Sequence, residues 1–145
     1  MGAAHFLMTE ANNEFRYLIE GFDGIVIIKR VKYSMLGWDY VKQWIQDNKD
    51  KIERVVIDGA LGADCSGLFE GCCKLREVLC TTNISTRYVT DMERMFAGCI
   101  NIAKINSEDW VLDNVTNSKD IFKDCDLSNN EYLLPLLKSL DLVEL

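Results

Sequence analysis

The chain has 145 residues and a formal net charge of −7; 48% of its residues are hydrophobic and 27% are charged. This length is sufficient for one domain with a buried core, and no apolar run is long enough for a membrane-spanning helix. The acidic balance disfavours direct DNA or RNA binding, which depends on Lys and Arg near phosphates, and is compatible with a basic protein partner.

Residues 1–50 show no internal repeat and are expected to form an N-terminal cap. They lack the basic stretch followed by an apolar run that marks a secretory signal, which predicts a cytoplasmic protein. Residues 9–22 allow two interpretations. They could form an amphipathic helix, or a strand with apolar residues at alternate positions from Phe15 to Ile19. That strand would pair with residues 25–31, and both interpretations remain open at this point.

Residues 38–48 are predicted to form a helix. Four apolar residues, Trp38, Val41, Trp44 and Ile45, fall on one helical face, and charged residues occupy the opposite face. Tryptophans that share such a face are usually part of a core. We therefore expect this helix to pack against the rest of the domain through its tryptophans.

An internal repeat occupies residues 51–127. A phenylalanine recurs at intervals of 27 and 26 residues; an Asp or Asn precedes it by five positions, and a cysteine follows it by three. One such unit cannot bury its own apolar side, so copies with this period are expected to stack. The three copies contain Asp64, Phe69 and Cys72; Asp91, Phe96 and Cys99; and Asn117, Phe122 and Cys125.

Each copy is predicted to contain one strand and one short helix. The pattern Leu75-x-x-Val78-x-Cys80, whose last two positions alternate, indicates the strand; the same spacing recurs from Ile102 to Ser107 and precedes the first copy from Ile52 to Ile57. The helix is predicted between the Asp column and the phenylalanine, because Asp64 can cap the free N–H groups of a first turn. Gly71 would end that helix at a positive φ angle.

Residues 128–145 are expected to form a C-terminal cap. A short helix is predicted to begin after an Asn-Asn pair, and Pro135 limits its length or bends it. The pattern Leu137-x-x-Leu140-x-Leu142 repeats the spacing of the earlier strands. It predicts a final strand at the end of the chain.

Together these regions predict one α/β domain spanning residues 1–145. The expected architecture is a short leucine-rich-repeat-like solenoid with about three repeats of 26–27 residues, each a strand plus a short helix. With so few copies, both ends of the stack require caps, because terminal repeats would otherwise expose apolar surface to water.

The segment from Asp109 to Phe122, DWVLDNVTNSKDIF, resembles the repeats of the BspA-like leucine-rich-repeat family. The resemblance covers residues 52–127 and implies a leucine-rich-repeat fold with a binding role toward diverse targets. The third copy departs from the pattern, because Ser128 stands where an apolar strand residue is expected. The second copy carries the motif most fully, as Val89-Thr90-Asp91-Met92, Met95-Phe96 and Gly98-Cys99.

The cysteines are expected to be buried structural thiols. Cys72, Cys99 and Cys125 share one repeat column, which stacking would place side by side, and free cysteine packs as a small apolar residue. No Cys-x-x-Cys pair provides the spacing of zinc ligands. His5 is the sole histidine, so a Ser/His/Asp or Cys/His nucleophile is not expected. We predict no metal, no cofactor and no catalytic residue.

The predicted function is a non-catalytic protein–protein interaction. In leucine-rich-repeat-like proteins, strand positions outside the core line a surface available to partners. Two alternatives stay open. One is an acidic inhibitor, encoded by a phage or mobile element, that blocks a basic nucleic-acid groove of a host defence enzyme; the other is a metal- or thiol-dependent enzyme. The candidate partner-binding residues are Arg76, Glu77, Arg87, Tyr88, Lys104, Asn106, Glu108 and Asp109.

Overall fold

A computed structural model describes residues 15–31, 34–128 and 131–141. The described chain has a mixed α/β architecture, with one five-stranded sheet and two short helices. No helix in these ranges is long and apolar enough to cross a membrane. In chain order the elements are β1 (Arg16–Phe22), β2 (Ile25–Val31), α1 (Trp38–Asp47), β3 (Arg54–Asp58), β4 (Glu77–Cys80), β5 (Lys104–Ile105) and α2 (Leu134–Ser139).

An antiparallel hairpin of β1 and β2 decides between the two interpretations of the N-terminal segment. Asp23 and Gly24 connect the strands with positive φ angles of 51° and 84°. Two such residues in a row are typical of tight hairpin turns, whose twist matches that of the flanking strands. Residues 16–22 are therefore a strand, and residues 9–14 lie outside the described ranges. The remaining strands run parallel, in the order β1-β2-β3-β4-β5.

The helix predicted over residues 38–48 is present as α1, which connects β2 to β3. Its apolar face is buried as expected, with Trp38, Val41 and Ile45 fully enclosed. Trp44 is half-buried and lies over Gly21 of β1, where an added Cβ atom would stand 2.8 Å from the indole ring. The lack of a side chain at Gly21 thus lets the indole pack directly on the strand.

The short helix predicted within each repeat is wrong, because each of these segments is a run of tight turns. In the first copy the N–H of Leu68 donates to the carbonyl of Cys65 at 3.2 Å. An equivalent bond of 3.0 Å joins Cys72 to Phe69. Gly67, inside the segment, has a φ of 62°. A left-handed residue interrupts the right-handed backbone that successive i→i−4 bonds require.

The Asp and Asn column nevertheless has the acceptor role that the sequence predicts. The side chains of Asp64, Asp91 and Asn117 each accept the backbone N–H two residues further on, at 2.9, 2.9 and 3.1 Å. They therefore cap turns rather than helices. Parallel bridges also connect Asp64 to Asp91 and Asp91 to Asn117, which keeps the three copies in register.

The recurring phenylalanines form one stack inside the core. The ring centroids of Phe69 and Phe96 are 5.6 Å apart, and those of Phe96 and Phe122 are 5.3 Å apart, with the rings nearly parallel. All three belong to one buried cluster, which also includes Val55 and Val78 from neighbouring parallel strands. The expectation that these phenylalanines share a single core is confirmed.

The C-terminal region differs from the sequence prediction. The strand predicted at the end of the chain is wrong for its first residues, since Leu137 lies in α2 and Leu140 in the turn after it. Residues 142–145, where the prediction continues, are outside the described ranges. Leu133, Leu136 and Leu137 are buried at helical spacing and cover the core. Pro135 lies in the first turn of α2, where its missing N–H has no helical acceptor to lose. The preceding Asn-Asn pair is not among the described residues.

Candidate functional site

One side of the sheet packs on the core, and the other side is turned away from it. Along β2, Val26 and Ile28 are buried whereas Ile25, Ile27 and Lys29 are exposed, as expected for a strand with a core on one side. Strand register places the outward positions side by side. We call this side the open face; it consists of Leu18, Glu20, Phe22, Ile25, Ile27, Lys29, Arg54, Val56, Asp58, Glu77, Leu79 and Lys104.

The half of the open face formed by β1 and β2 is largely apolar. Phe22 is 78% exposed, and Leu18 and Ile27 are about 40% exposed. Ile27 is in register with Val56 of β3, which in turn neighbours Leu79 of β4. An apolar row thus crosses from the hairpin into the repeats. Contiguous exposed apolar surface is uncommon on monomeric proteins and marks sites of interaction.

Charged side chains form a second row on the open face. Arg54, Glu77 and Lys104 are register neighbours on β3, β4 and β5. The Nε atom of Arg54 is 2.7 Å from a carboxylate oxygen of Glu77, a close ionic contact whose angles fall short of a hydrogen bond. The Lys104 ammonium lies 5.6 Å from the ring centre of Tyr132, which bridges to β5. The row alternates in sign, so it places charge of both signs at the border of the apolar surface.

The structure separates the residues that the sequence nominated for partner binding. Glu77 and Lys104 lie next to each other on the open face. Arg76 precedes β4, and its guanidinium is 3.9 Å from the carboxylate of Glu53. Asn106 has a structural role, because its amide accepts the N–H of Cys80 at 2.6 Å and donates to the carbonyl of the same residue at 3.2 Å. It thereby extends the pairing of β4 and β5.

The other four nominated residues follow the ends of β4 and β5. Arg87 and Asp109 line an open groove of about 390 Å³ between the loops of the second and third copies. Tyr88 is 38% exposed and packs edge-on against Phe15, with ring centroids 5.0 Å apart. Glu108 is exposed in the turn before Trp110. These four residues thus lie in loops and not on the sheet.

The apolar residues of the open face were missed by sequence reasoning because most of them lie outside the repeat. A signal for them was present in β2, where Ile25, Val26, Ile27 and Ile28 are apolar at four successive positions. A strand with one solvated side normally alternates. Such an uninterrupted run indicates that both sides of the strand contact apolar groups, and here the core covers only one of them.

The sequence predicts that all three members of the cysteine column are buried, and the first two are. Cys72 and Cys99 are buried, and Cys125 is half-buried. The thiol of Cys99 donates to the carbonyl of Phe69 at 3.1 Å, and that of Cys125 to the carbonyl of Phe96 at 3.0 Å. Burial raises the pKa of the Cys72 thiol to about 12, which keeps it protonated and weakly nucleophilic. Within the described residues, no three His, Cys, Asp or Glu side chains are grouped to hold a metal ion.

Comparisons with known proteins give one match. No curated protein and no solved structure matches the chain. The model of the family described as "Mycoplasma protein of unknown function, DUF285" matches residues 58–133, a match compatible with the BspA-like resemblance of the repeats. Because this match covers more than half of the 145 residues, the chain belongs to the DUF285 family.

Proposed function

We propose that this chain is a non-catalytic protein–protein interaction module, built as a short leucine-rich-repeat-like solenoid whose open face contacts the partner. The observation that carries the proposal is the exposed apolar side chains of Phe22, Ile25 and Ile27 on the hairpin, which are continuous with the apolar row and lie beside the charged row of the repeats. Complete burial of a fully exposed apolar side chain contributes about 1.5–3 kcal/mol. Phe22 is 78% exposed and retains most of that gain, whereas Ile25 and Ile27, 36% and 41% exposed, retain less than half of it.

The partner expected at this surface is another protein. An apolar centre with charges of both signs at its border is the usual composition of a protein interface, in which the centre is desolvated and the border stays wet. Arg54, Glu77 and Lys104 would contribute mainly to orientation and association rate. The net charge of −7 favours a basic partner.

A photo-crosslinking residue at two positions tests this function in the cells that produce the protein. Placed at Ile27 on the open face, it is expected to give a discrete adduct with one protein. The matched control is Tyr40 on the outer side of α1, which is exposed to a similar degree, 50% against 41%. The control position is expected to give no such adduct.

A pair of variants then tests whether the adduct depends on the apolar row. Leu79→Asp is expected to reduce the adduct at Ile27 about tenfold, since interface anchors typically contribute more than 1 kcal/mol. Tyr40→Asp should leave the adduct unchanged, and circular dichroism verifies that both variants fold. Equal yields at the two crosslinker positions, or an undiminished adduct in Leu79→Asp, would argue against the open face.

A further inference from the structure

The backbone N–H groups of the turn segments that donate to another copy all do so in a single direction. We define the turn segments as residues 65–72, 92–99 and 118–125. Some backbone N–H groups of these segments donate to a carbonyl of another copy. In every case that carbonyl lies in the next copy along the chain, with N···O distances of 2.7–3.0 Å. The first segment donates from Cys65, Gly67, Phe69 and Gly71 to Asp91, Glu93, Met95 and Ala97, and the second from Met92, Arg94, Phe96 and Gly98 to Asn117, Lys119, Ile121 and Lys123.

This polarity makes the two ends of the turn stack chemically different. The first copy presents a row of carbonyl oxygens on its outer side, and the third copy presents a row of N–H groups. An ordinary β-sheet edge alternates donors and acceptors, whereas each edge here carries one kind of group. As at the ends of an α-helix, the unpaired groups require partners from elsewhere.

Side chains of α1 close the carbonyl end. The indole N–H of Trp38 donates to the carbonyl of Asp64 at 2.7 Å. The amide of Gln46 donates to the carbonyls of Leu68 and Glu70 at 3.3 and 3.1 Å. These three carbonyls occupy the columns that accept bonds in the second and third copies. The N-terminal cap therefore satisfies three of the four outward carbonyls of the turn stack in addition to covering the core.

The N–H end has no comparable closure within residues 15–31, 34–128 and 131–141. Helix α2 covers the core with Leu136 and Leu137, but no group in the described ranges accepts a bond from the outward amides of the third segment. The outward amides are those of Ser118, Asp120, Phe122 and Asp124, which we call the donor edge. Two of them belong to exposed residues that carry carboxylates, Asp120 and Asp124.

We propose that the donor edge binds a polypeptide segment of another protein, which offers a row of backbone carbonyls and a basic side chain directed at Asp120 and Asp124. Carbonyl oxygens are the acceptors that such amides already bond in both earlier copies. Asp120 and Asp124 contribute two of the four outward amides, and their exposed carboxylates favour a segment that carries Lys or Arg over a free anion. Lys119 and Lys123 are also exposed, but they belong to the residues whose carbonyls accept bonds from the second copy. Within the chain a basic side chain already pairs with a carboxylate of the preceding copy, since Arg94 donates to Glu70 at 2.9 Å, but Glu70 occupies the column of Lys123 and not that of Asp120 or Asp124.

A second copy of this chain does not fit the donor edge. Head-to-tail stacking would require the carbonyls of its first turn segment, and Trp38 and Gln46 occupy them. Two donor edges facing each other would bring N–H groups together without acceptors. The donor edge is also a different surface from the open face, so this inference does not depend on the proposed function.

The probe for the donor edge is a synthetic peptide with the sequence of residues 89–100 carrying Cys99→Ser. In the intact chain this segment already accepts four such bonds from the first copy. Added to the ¹⁵N-labelled full-length protein, it is expected to shift the donor-edge amide resonances and to slow their hydrogen exchange about tenfold or more. A control peptide with Arg94→Glu should bind several-fold more weakly.

A double variant of the protein, Asp120→Asn with Asp124→Asn, should also weaken binding of the first peptide, because it removes both negative charges. The backbone is expected to be retained, since Asn tolerates the left-handed φ angles of 55° and 63° at these positions.

Four results would overturn the inference. In the free protein, the donor-edge amides could exchange as slowly as those of Met92, Arg94, Phe96 and Gly98. The peptide could leave the donor edge unshifted at millimolar concentration. Inorganic phosphate could produce the same shifts, which would indicate an anion site. Concentration-dependent shifts without peptide would indicate self-association.

Discussion

The second and third copies of the repeat contain the same residue columns, but only the second has a neighbour on each side. Phe96 is fully buried between two stacked rings, whereas Phe122 stacks on one ring and is 8% exposed. Cys99 is buried and Cys125 half-buried. The comparison teaches that position in the stack, as well as residue type, determines how completely a side chain of a given column is buried.

The largest expected difference between the copies concerns the phenylalanines. Phe96→Ala should lower the free energy of unfolding by about 3–5 kcal/mol, because it leaves a cavity between two rings. Phe122→Ala should cost at least ~1 kcal/mol less, since its site is open on one side and can relax. Urea denaturation measures both values. Equal losses would mean that the third copy is as tightly packed as the second.

The next largest expected effect is the loss of stability when Gln46, which closes the carbonyl end of the turn stack, is replaced. Gln46→Ala should destabilise the protein by about 1–3 kcal/mol, because the carbonyls of Leu68 and Glu70 lose a donor. Gln43→Ala is the matched control: the residue lies on the same helix, is exposed, and its side-chain amide donates to the exposed Asp47 at 2.9 Å. It should cost about 0.5 kcal/mol or less. Thermal melting of the two variants distinguishes them, and similar midpoints would contradict the capping role of Gln46.

The smallest expected effects are changes in the free energy of unfolding at two residues of one repeat column, and they have opposite signs. Gly98 and Asp124 are equivalent, with φ of 74° and 63°. Gly98→Ala should destabilise by about 1–2 kcal/mol, because a Cβ is disfavoured at a left-handed residue. Asp124→Gly should be neutral or stabilising by up to about 1 kcal/mol for the same reason. Chemical denaturation of both variants is the measurement, and a loss of stability in Asp124→Gly would assign the aspartate a contact of its own.

Much of the fold could be predicted because it depends on short-range patterns. The helical face of Trp38, Val41 and Ile45 predicted α1, and the alternation around Val55 and Val78 predicted two strands, which the structure pairs in parallel. Each of these signals involves neighbours in the chain. They are also the parts of the structure whose local preference agrees with their final environment.

The turn segments show where local patterns are insufficient. Asp64 and the apolar pair Leu68-Phe69 satisfy the signature of a capped helix. The backbone instead gives every second N–H, as at Cys65 and Gly67, to the next copy. An amide that donates across copies is not available for an i→i−4 bond, so stacking and helix formation compete, and stacking prevails. That competition is invisible within a single copy.

The candidate site depended on the tertiary structure to a greater extent than the fold did. Glu77 and Lys104 could be nominated because they fill non-core positions of predicted strands. Phe22 and Ile25 precede the repeats, and only the pairing of β2 with β3 brings them to the same surface. Asn106, nominated as a contact, proved to be bonded to Cys80.

The amino-acid sequence by itself determined the period of the repeat, the residues that face the core and the acidic balance of the chain, because these are properties of spacing and composition. Tertiary structure decided that the repeat segments are turns, that the open face joins residues of the hairpin to those of the repeats, and that one end of the turn stack is closed while the outward amides of the other end have no acceptor among the described residues. The physical reason is that hydrogen bonds between copies are made by residues about 26 positions apart. Their direction is set by the register of neighbouring copies and not by any local preference.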